Sequence, residues 1–256
     1  MEQFLKELKA EAESLGIDLF GVADLAVAHD FIQDQGGPVP ASFPRAISLG
    51  MRLTRGVVDE LFRHDDINVL NPYRGVYRAV NANLERAALL IATRLQQVGF
   101  RSYPVPAAER TDSVRLCAAF SHKAAAHLAG LGWIGRSCLL ITPEFGPRLR
   151  LTTVLTDAPL PTRVPLSNHC GSCRACVDIC PVQAFTGRRF VASEPREARF
   201  NAPLCDEYMR SREQHLGEGL CGLCVYVCPW GQREDIGLMR HARSWTVETV
   251  EENLEL

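Results

Sequence analysis

The sequence of 256 residues contains no long apolar run and no excess of positive charge. No stretch approaches the roughly 18 apolar residues that a membrane span needs. The first residues, Met1 to Lys6, run directly into a charged amphipathic pattern, so we expect no signal peptide. The formal net charge of -2 gives no overall basic character of the kind that nucleic-acid-binding domains show. We therefore expect a cytoplasmic protein with no membrane partner.

Cysteine, by contrast, is abundant. Ten are present, and eight of them fall within residues 170–228. In a reducing compartment, cysteines are more often metal ligands or catalysts than disulfides. The first group reads Cys170-x2-Cys173-x2-Cys176-x3-Cys180 followed by Pro181. This spacing is typical of bacterial ferredoxins, in which the first three thiolates ligate one [4Fe–4S] cluster and the fourth ligates the other.

A second, shorter motif repeats the end of the first. It reads Cys221-x2-Cys224-x3-Cys228 followed by Pro229, and Glu218 stands where a further cysteine would complete it. Cys205 is the simplest source of the missing ligand. We therefore predict crossed ligation of two [4Fe–4S] clusters. One cluster takes Cys170, Cys173, Cys176 and Cys228, and the other takes Cys180, Cys205, Cys221 and Cys224.

Other interpretations of the cysteines stay open. Structural zinc sites use pairs of Cys-x2-Cys, and disulfides are disfavoured in a reducing compartment. Cys205 stands alone in the sequence and is alternatively a buried bystander. Cys117 and Cys138 fit neither motif and are expected to be small buried hydrophobes. Two clusters held by interleaved ligands lie close together, which favours electron transfer over a purely structural role.

The whole pattern predicts an α+β protein. We expect an N-terminal mixed α/β domain at residues 1–160, a two-cluster (2[4Fe–4S]) ferredoxin-like domain at 161–240 and an acidic C-terminal tail at 241–256. The proline-containing stretch 158–169 is the expected boundary. Hydrophobic periodicity predicts helices over 4–15, 76–98 and 121–129. It predicts strands over 17–23, 46–51, 101–105, 137–142 and 148–156, the last two as a hairpin, and a loop over 34–45.

The stretch from Gly130 to Gly135 satisfies the glycine pattern G-x-G-x-x-G. A dinucleotide fingerprint follows a strand and opens a helix. These glycines instead follow a predicted helix and precede a predicted strand. We therefore expect no dinucleotide site here.

A better match for this stretch is a protein family. Ala129-Gly130-Leu131-Gly132-Trp133-Ile134-Gly135-Arg136-Ser137 is followed by Leu139-Leu140-Ile141, Thr153–Asp157 and then the two cysteine motifs. Between those motifs stands Cys205-Asp206-Glu207-Tyr208, and Trp230 follows the last proline. This order resembles the epoxyqueuosine reductases. The resemblance covers about residues 1–235 and is strongest from 129 to 231.

The resemblance implies a fold, cofactors and a reaction. Members pair an α/β domain with a two-cluster ferredoxin domain and bind cobalamin base-off between them. The clusters reduce the corrinoid, which removes the epoxide oxygen of a modified base in tRNA, and reductive dehalogenases share this plan. By resemblance, Gly130, Gly132 and Trp133 are the candidate corrinoid-binding residues. The alternative is that the glycines make a tight turn and Trp133 packs in the core.

The sequence departs from the family in three places. The family's catalytic Asp, within an Asp-x-x-Pro segment, would fall near residues 116–119, which contain neither an acid nor a proline. Asp112 is the nearest carboxylate, and His122 and Lys123 are further candidate proton donors or else solvated helix residues. The family's serine two residues after the isolated cysteine is Glu207 here. The family's C-terminal helical repeats, which help hold tRNA, do not follow, so we interpret the chain as a truncated form and do not expect tRNA as a partner.

Three functions are compatible with these features. The first is a corrinoid-dependent reductase of a small or nucleotide-like substrate. The second is an electron-transfer protein that reduces a corrinoid held by a partner protein, and the third is a two-cluster carrier without corrinoid. The absence of a nicotinamide or flavin motif points to a small ferredoxin or flavodoxin as the electron donor. Corrinoid binding and product formation are the observations that separate these functions.

Overall fold

The computed structural model describes residues 1–217 and 219–232. The predicted tail at 241–256 and the last residues of the predicted ferredoxin-like domain lie outside the described residues. Within the described part, helices and strands form the mixed α+β fold that the sequence predicts. No helix in residues 1–217 or 219–232 is long and apolar enough to cross a membrane.

The elements are numbered along the chain. The strands are β1 (Leu19–Asp24), β2 (Arg45–Arg52), β3 (Ser102–Val105), β4 (Trp133–Ile134), β5 (Leu140–Ile141) and β6 (Leu149–Thr156). The α-helices are α1 (Glu2–Ser14), α2 (His29–Gly36), α3 (Pro38–Ala41), α4 (Arg55–Asp59), α5 (Ile67–Gln97), α6 (His122–Leu128), α7 (Ala175–Asp178), α8 (Ala202–Leu216), α9 (Leu223–Tyr226) and α10 (Pro229–Gln232). Short 3₁₀ helices cover Ala26–Ala28, Glu60–Arg63 and Arg196–Ala198.

An antiparallel sheet of four strands, in the order β1-β2-β6-β3, organises the N-terminal part. Its register places Val22 opposite Ile47 and Ile47 opposite Val154. These three side chains belong to the core formed with α1 and α5, whereas Ala23 and Leu155 face a second core under α6. Because both faces of the sheet are covered, β1, β2 and β6 are buried along most of their length rather than at alternate positions.

Two sequence predictions are wrong in detail. The expected loop at 34–45 instead contains the end of α2 and the single turn α3, where Pro38 occupies the first helical position that proline tolerates. Helix α5 begins nine residues earlier than predicted, at Ile67, and continues through Pro72. Asp66 caps this end by accepting a hydrogen bond from the Asn68 backbone N–H at 2.9 Å. Burial of Leu70 and Tyr73 against the core favours the helical extension despite the proline.

The predicted hairpin of strands 137–142 and 148–156 is also wrong. β5 pairs with β4, and β6 pairs with β2 and β3 in the main sheet. The turn at Pro143 to Gly146 exists as a local bridge between Thr142 and Gly146. It therefore connects two different sheets rather than two partners in one.

Buried arginines connect the sheet domain to the cysteine-rich part. The Arg148 side chain, directly before β6, is 4% exposed and donates to Asp59 at 2.5 Å and to the Tyr226 carbonyl at 3.1 Å. Arg212, on α8, pairs with Asp65 at 2.5 Å and also donates to the His64 carbonyl. Because a buried guanidinium is costly without partners, these contacts fix how the two parts of the chain pack.

We predict that Arg148→Met lowers the free energy of unfolding by about 2 kcal/mol, because the substitution removes the hydrogen bonds to Asp59 and to the Tyr226 carbonyl, which then keeps only the Gln232 side-chain donor. Denaturant unfolding of the cluster-containing protein measures this change. Arg78→Met, at an exposed position on α5, is the control and should change stability by less than about 0.5 kcal/mol. Equal stabilities of the two variants would contradict the role assigned to Arg148.

Candidate metal centre

Two short helical turns carry the central cysteines of the two motifs. α7 contains Cys176, α9 contains Cys224, and the two turns pack against each other. Gly222 precedes α9 with a φ of 82°, a left-handed conformation that glycine adopts without strain. Cys180 and Cys228 each follow the end of a turn and precede a proline. The local sequence thus folds into two equivalent loops with their thiols directed to a common region.

Cys205 reaches this region from a separate element. It lies in the first turn of α8, whose start is capped by Asn201 accepting from the Leu204 backbone N–H at 3.0 Å. Burial, together with the neighbouring thiols of Cys221 and Cys180, raises the pKa of Cys205 to about 11. The structure therefore brings Cys205 close to both of these motif cysteines.

Cys228 likewise reaches cysteines of the first motif from a separate part of the chain. Burial raises the pKa of Cys228 to about 12, and the nearby thiols of Cys170 and Cys176 contribute to the increase. Burial also raises the pKa of Cys176 to about 11, with contributions from Cys170 and Cys173. Cys228 thus lies near Cys170 and Cys176 although 52 or more positions separate it from them in the sequence. The pairing of each thiol with a particular cluster stays a prediction.

These donor sets fit iron–sulfur clusters. In the described part of the chain, no three His, Cys, Asp or Glu side chains converge tightly enough to hold a single metal ion. A [4Fe–4S] cluster takes four cysteine thiolates, and each ligates a different iron, so the sulfurs stand apart around the cube. All ten cysteines lie in the described residues as free thiols. Because thiolate is the ligating form, cluster binding to these high-pKa thiols releases protons.

Several groups donate hydrogen bonds to the sulfurs. The Ala184 backbone N–H lies 3.3 Å from Cys180 Sγ, and the Leu223 N–H donates to Cys221. The Ser137 hydroxyl donates to Cys176. Such bonds favour the thiolate and set cluster potentials. Sequence reasoning missed Ser137, because nothing in the chain signals that its hydroxyl meets a sulfur 39 positions later.

Two tryptophans cover one side of the first cysteine set, by which we mean Cys170, Cys173, Cys176 and Cys228. The rings of Trp133 and Trp230 meet edge to face at a centroid distance of 4.8 Å, and both pack with Cys170 and Cys228. Trp133 is 1% exposed, and the His169 ring lies 5.2 Å from it. This aromatic layer excludes water from the region, and low solvent exposure is one determinant of cluster potential.

The candidate corrinoid residues Gly130 and Gly132 lie in a tight backbone crossing. Gly130 has a φ of 69°, and a Cβ there would lie 2.6 Å from the Val164 carbonyl oxygen. A Cβ at Gly132 would overlap the Ile141 carbonyl oxygen. The glycines follow α6 and precede β4, the order opposite to a dinucleotide fingerprint. Gly130, Gly132 and Trp133 therefore have the contacts expected if the glycines make a tight turn and Trp133 packs in the core.

The three candidate proton donors have different environments. Asp112 accepts hydrogen bonds from the backbone N–H groups of Val114 and Arg115 and so fixes its own loop. His122 contacts Thr153 Oγ1 and the Pro106 carbonyl, each at 2.9 Å. Burial lowers the pKa of His122 to about 4, so the imidazole is neutral at pH 7.

Lys123 is the remaining candidate. Its Nζ donates to the Cys138 carbonyl at 2.6 Å, and burial lowers its pKa. Cys138 and Cys224 oppose this shift, whereas Arg196 and Arg199 add to it. Lys123 therefore lies within electrostatic range of a predicted cluster ligand, which the sequence did not indicate. Cys138 is 6% exposed, as its interpretation as a buried hydrophobe requires.

A cleft of about 390 Å³ lies beside the second cysteine set, which consists of Cys180, Cys205, Cys221 and Cys224. One wall is the loop that carries Arg110, Ser113 and Leu116, and the other is α8 with Asp206 next to Cys205. The Asp206 side chain is 8% exposed and pairs with Arg110 at 2.9 Å and with Arg210. The volume falls within the range of small-molecule sites.

Comparison with known proteins agrees with the cysteine pattern. Residues 169–231 match the family model of the 4Fe-4S double cluster binding domain. The epoxyqueuosine reductase of Bacillus anthracis is 45% identical over 117 residues, which is 43% of this chain and 29% of that protein. That of Aliivibrio fischeri is 30% identical over 169 residues, 64% of this chain and 42% of the relative. The matched stretches span less than half of each relative.

Solved structures share the fold. A reductive dehalogenase whose structure suggests a mechanism for B12-dependent dehalogenation matches 95% of this chain and 34% of its own, with a TM-score of 0.69 and 20% identity. Epoxyqueuosine reductase from Bacillus subtilis, with its catalytic aspartate loop swung out of the active site, matches 93% of this chain and 68% of its own, with a TM-score of 0.58 and 18% identity. The chain is thus an iron–sulfur protein that resembles epoxyqueuosine reductases, with two [4Fe–4S] clusters as cofactors.

We predict that Cys205→Ala removes one cluster, so that anaerobically reconstituted protein holds about four irons instead of about eight. Iron analysis and EPR of the reduced protein measure this loss. Cys138→Ala, at a buried cysteine outside both motifs, is the matched control and should keep about eight irons. Retention of both clusters by the Cys205 variant would identify Cys205 as a bystander.

We also predict that Ser137→Ala makes the potential of the cluster bound by Cys176 more negative, because the sulfur loses a hydrogen bond. A redox titration followed by EPR resolves the two clusters, and the second should keep its potential. Ser48→Ala is the control, since Ser48 is equally buried and its hydroxyl has no partner. A shift of both potentials, or of neither, would be inconsistent with the Ser137 contact.

Proposed function

We propose that this protein is an iron–sulfur oxidoreductase that passes low-potential electrons through two [4Fe–4S] clusters to a corrinoid. The observation that carries the proposal is the pair of adjacent four-cysteine sets within a chain that resembles epoxyqueuosine reductases. The turn α7, which carries Cys176, packs against the turn α9, which carries Cys224. The two sets are therefore close enough to act in sequence.

The cleft between the 110–116 loop and α8 lies beside the second set, and at about 390 Å³ it would take one edge of a corrinoid rather than the whole ring system. Arg110, Ser113 and Met209 line this cleft. Cys205 lies on α8, the helix that forms the second wall of the cleft. When bound, a corrinoid supplies a cobalt centre that accepts low-potential electrons. The Arg110–Asp206 ion pair links the loop to α8 and thereby holds the two walls together. Cys205 is the second-set ligand that adjoins this lining, next to Asp206 on α8.

Of the three candidate proton donors, Lys123 is the group best suited to hold a proton. His122 is neutral and has partners on both ring nitrogens. The Asp112 carboxylate already accepts two backbone hydrogen bonds within its own loop. The loop itself is held by Arg196, which donates to the Arg115 carbonyl at 2.7 Å and the Leu116 carbonyl at 3.4 Å. A lysine whose pKa is lowered by burial gives up its proton more readily than an exposed one.

The test is an anaerobic titration of reconstituted protein with cob(II)alamin, followed by visible absorption and EPR. We expect about eight irons and a base-off cobalt signal that saturates near one per chain. Arg110→Glu should weaken binding at least tenfold by reversing charge in the cleft, whereas Arg78→Glu on α5 should not. A protein with about eight irons that binds no corrinoid would overturn the proposal and would favour the reduction of a corrinoid held by a partner.

A further inference from the structure

The eight predicted cluster ligands differ in their exposure. Cys173 is exposed, whereas the other seven are partly buried. It lies in the loop 170–174, and its neighbours Gly171, Ser172 and Arg174 are exposed as well. The first cysteine set therefore has one edge at the protein surface.

Three arginines frame this exposed edge. Arg136 donates to the Gly171 carbonyl at 2.7 Å and also to the Gly187 carbonyl. Arg189 donates to the same Gly171 carbonyl at 3.4 Å. The Arg174 guanidinium lies against Gly187, where any side chain would overlap it. These contacts tie the three arginines, here called the arginine frame, to the loop that carries Cys173.

The charge of the arginine frame is only weakly offset. Asp178 lies 3.8 Å from Arg174, and both side chains are more than half exposed, so this ion pair contributes little. The hydrogen bonds of Arg136 and Arg189 go to carbonyl oxygens, which leave their positive charges in place. The surface around Cys173 is thus positive in a protein whose overall charge is -2.

We propose that the arginine frame is the docking surface for an acidic one-electron carrier protein, which delivers electrons to the first cluster at the Cys173 edge. The inference rests on the proposed function for the direction of electron flow. Each encounter moves one electron from the carrier to the cluster, with no bond made or broken. Opposite surface charges steer such encounters and raise their rate constants by about 10 to 1,000 times at low salt.

The position of the arginine frame favours a protein carrier over a nucleic acid. Electron transfer is fastest where a cluster comes nearest to the protein surface, and Cys173 is the exposed one of the eight predicted ligands. A phosphate backbone would also be attracted by arginines, but nothing about its recognition requires an exposed cluster edge. A third possibility is that the arginines only balance the negative charge of the cluster, in which case they would set its potential and not its encounters.

The experiment is anaerobic stopped-flow reduction of the two-cluster protein by flavodoxin hydroquinone over a range of ionic strengths. The variant Arg174→Glu with Arg189→Glu reverses two charges of the arginine frame, and Arg78→Glu with Arg86→Glu reverses two exposed charges on α5. At low salt we expect the arginine-frame variant to lose at least tenfold in second-order rate constant, with the α5 variant within twofold of wild type. The wild-type rate constant should fall as salt rises, and that of the arginine-frame variant should not.

Iron content and reduction by dithionite are measured in all three proteins to confirm that the clusters are intact. Equal rate constants for the arginine-frame variant and wild type would overturn the proposal. The proposal would also be overturned if the arginine-frame variant had a shifted cluster potential but the same salt dependence of its rate constant as wild type. That result would show that the arginines only balance the negative charge of the cluster. Competition by an RNA stem-loop that binds wild type more tightly than flavodoxin does would assign the surface to nucleic acid. Because no corrinoid is present, failure of corrinoid binding leaves this test unaffected.

Discussion

Eight thiolates have to be held close together, away from bulk water, before two iron–sulfur clusters can bind. Neighbouring sulfurs repel one another when charged, and burial adds to that cost, as the raised pKa values of Cys205 and Cys228 show. The fold offsets the cost with donors aimed at sulfur, among them the backbone N–H of Ala184 and the hydroxyl of Ser137. The turns α7 and α9, the capped start of α8 and the tryptophan layer are all consequences of this requirement.

The same requirement explains why the sheet domain and the cysteine-rich part are packed so closely. Ser137 and Trp133 belong to the segment around β4 and β5, yet they contact the cysteines of the later motifs. Arg148 holds the end of α9 against α4, and Arg212 holds α8 against residues 64–65. A cluster environment built from both parts forms only when these contacts form, so cluster binding and packing of the two parts stabilise one another.

Electron flow through such a structure has a direction set by exposure. The first set reaches solvent at Cys173, within the arginine frame, and the second lies beside the cleft next to α8. Charge and exposure are the quantities that set cluster potentials. Burial lowers the pKa of Lys123, which lies within electrostatic range of Cys224 in the second set. Under the proposed function, electrons enter at the first set and leave from the second.

The sequence by itself determined the cofactor, because the spacing of cysteines and the proline after each motif allow few other chemistries. It also determined the main elements of the sheet domain, since the periodicity of β1, β2, α1 and α6 is local. It did not determine which strands pair. The hydrophobic alternation around β5 predicts pairing with β6, but in the folded chain β5 pairs with Trp133 and Ile134 of β4. The surroundings of the thiols were likewise decided by tertiary structure. Ser137, Lys123 and Arg136 are distant in sequence from the cysteine motifs near which they lie, and no local pattern records a contact between segments that meet only in the folded chain.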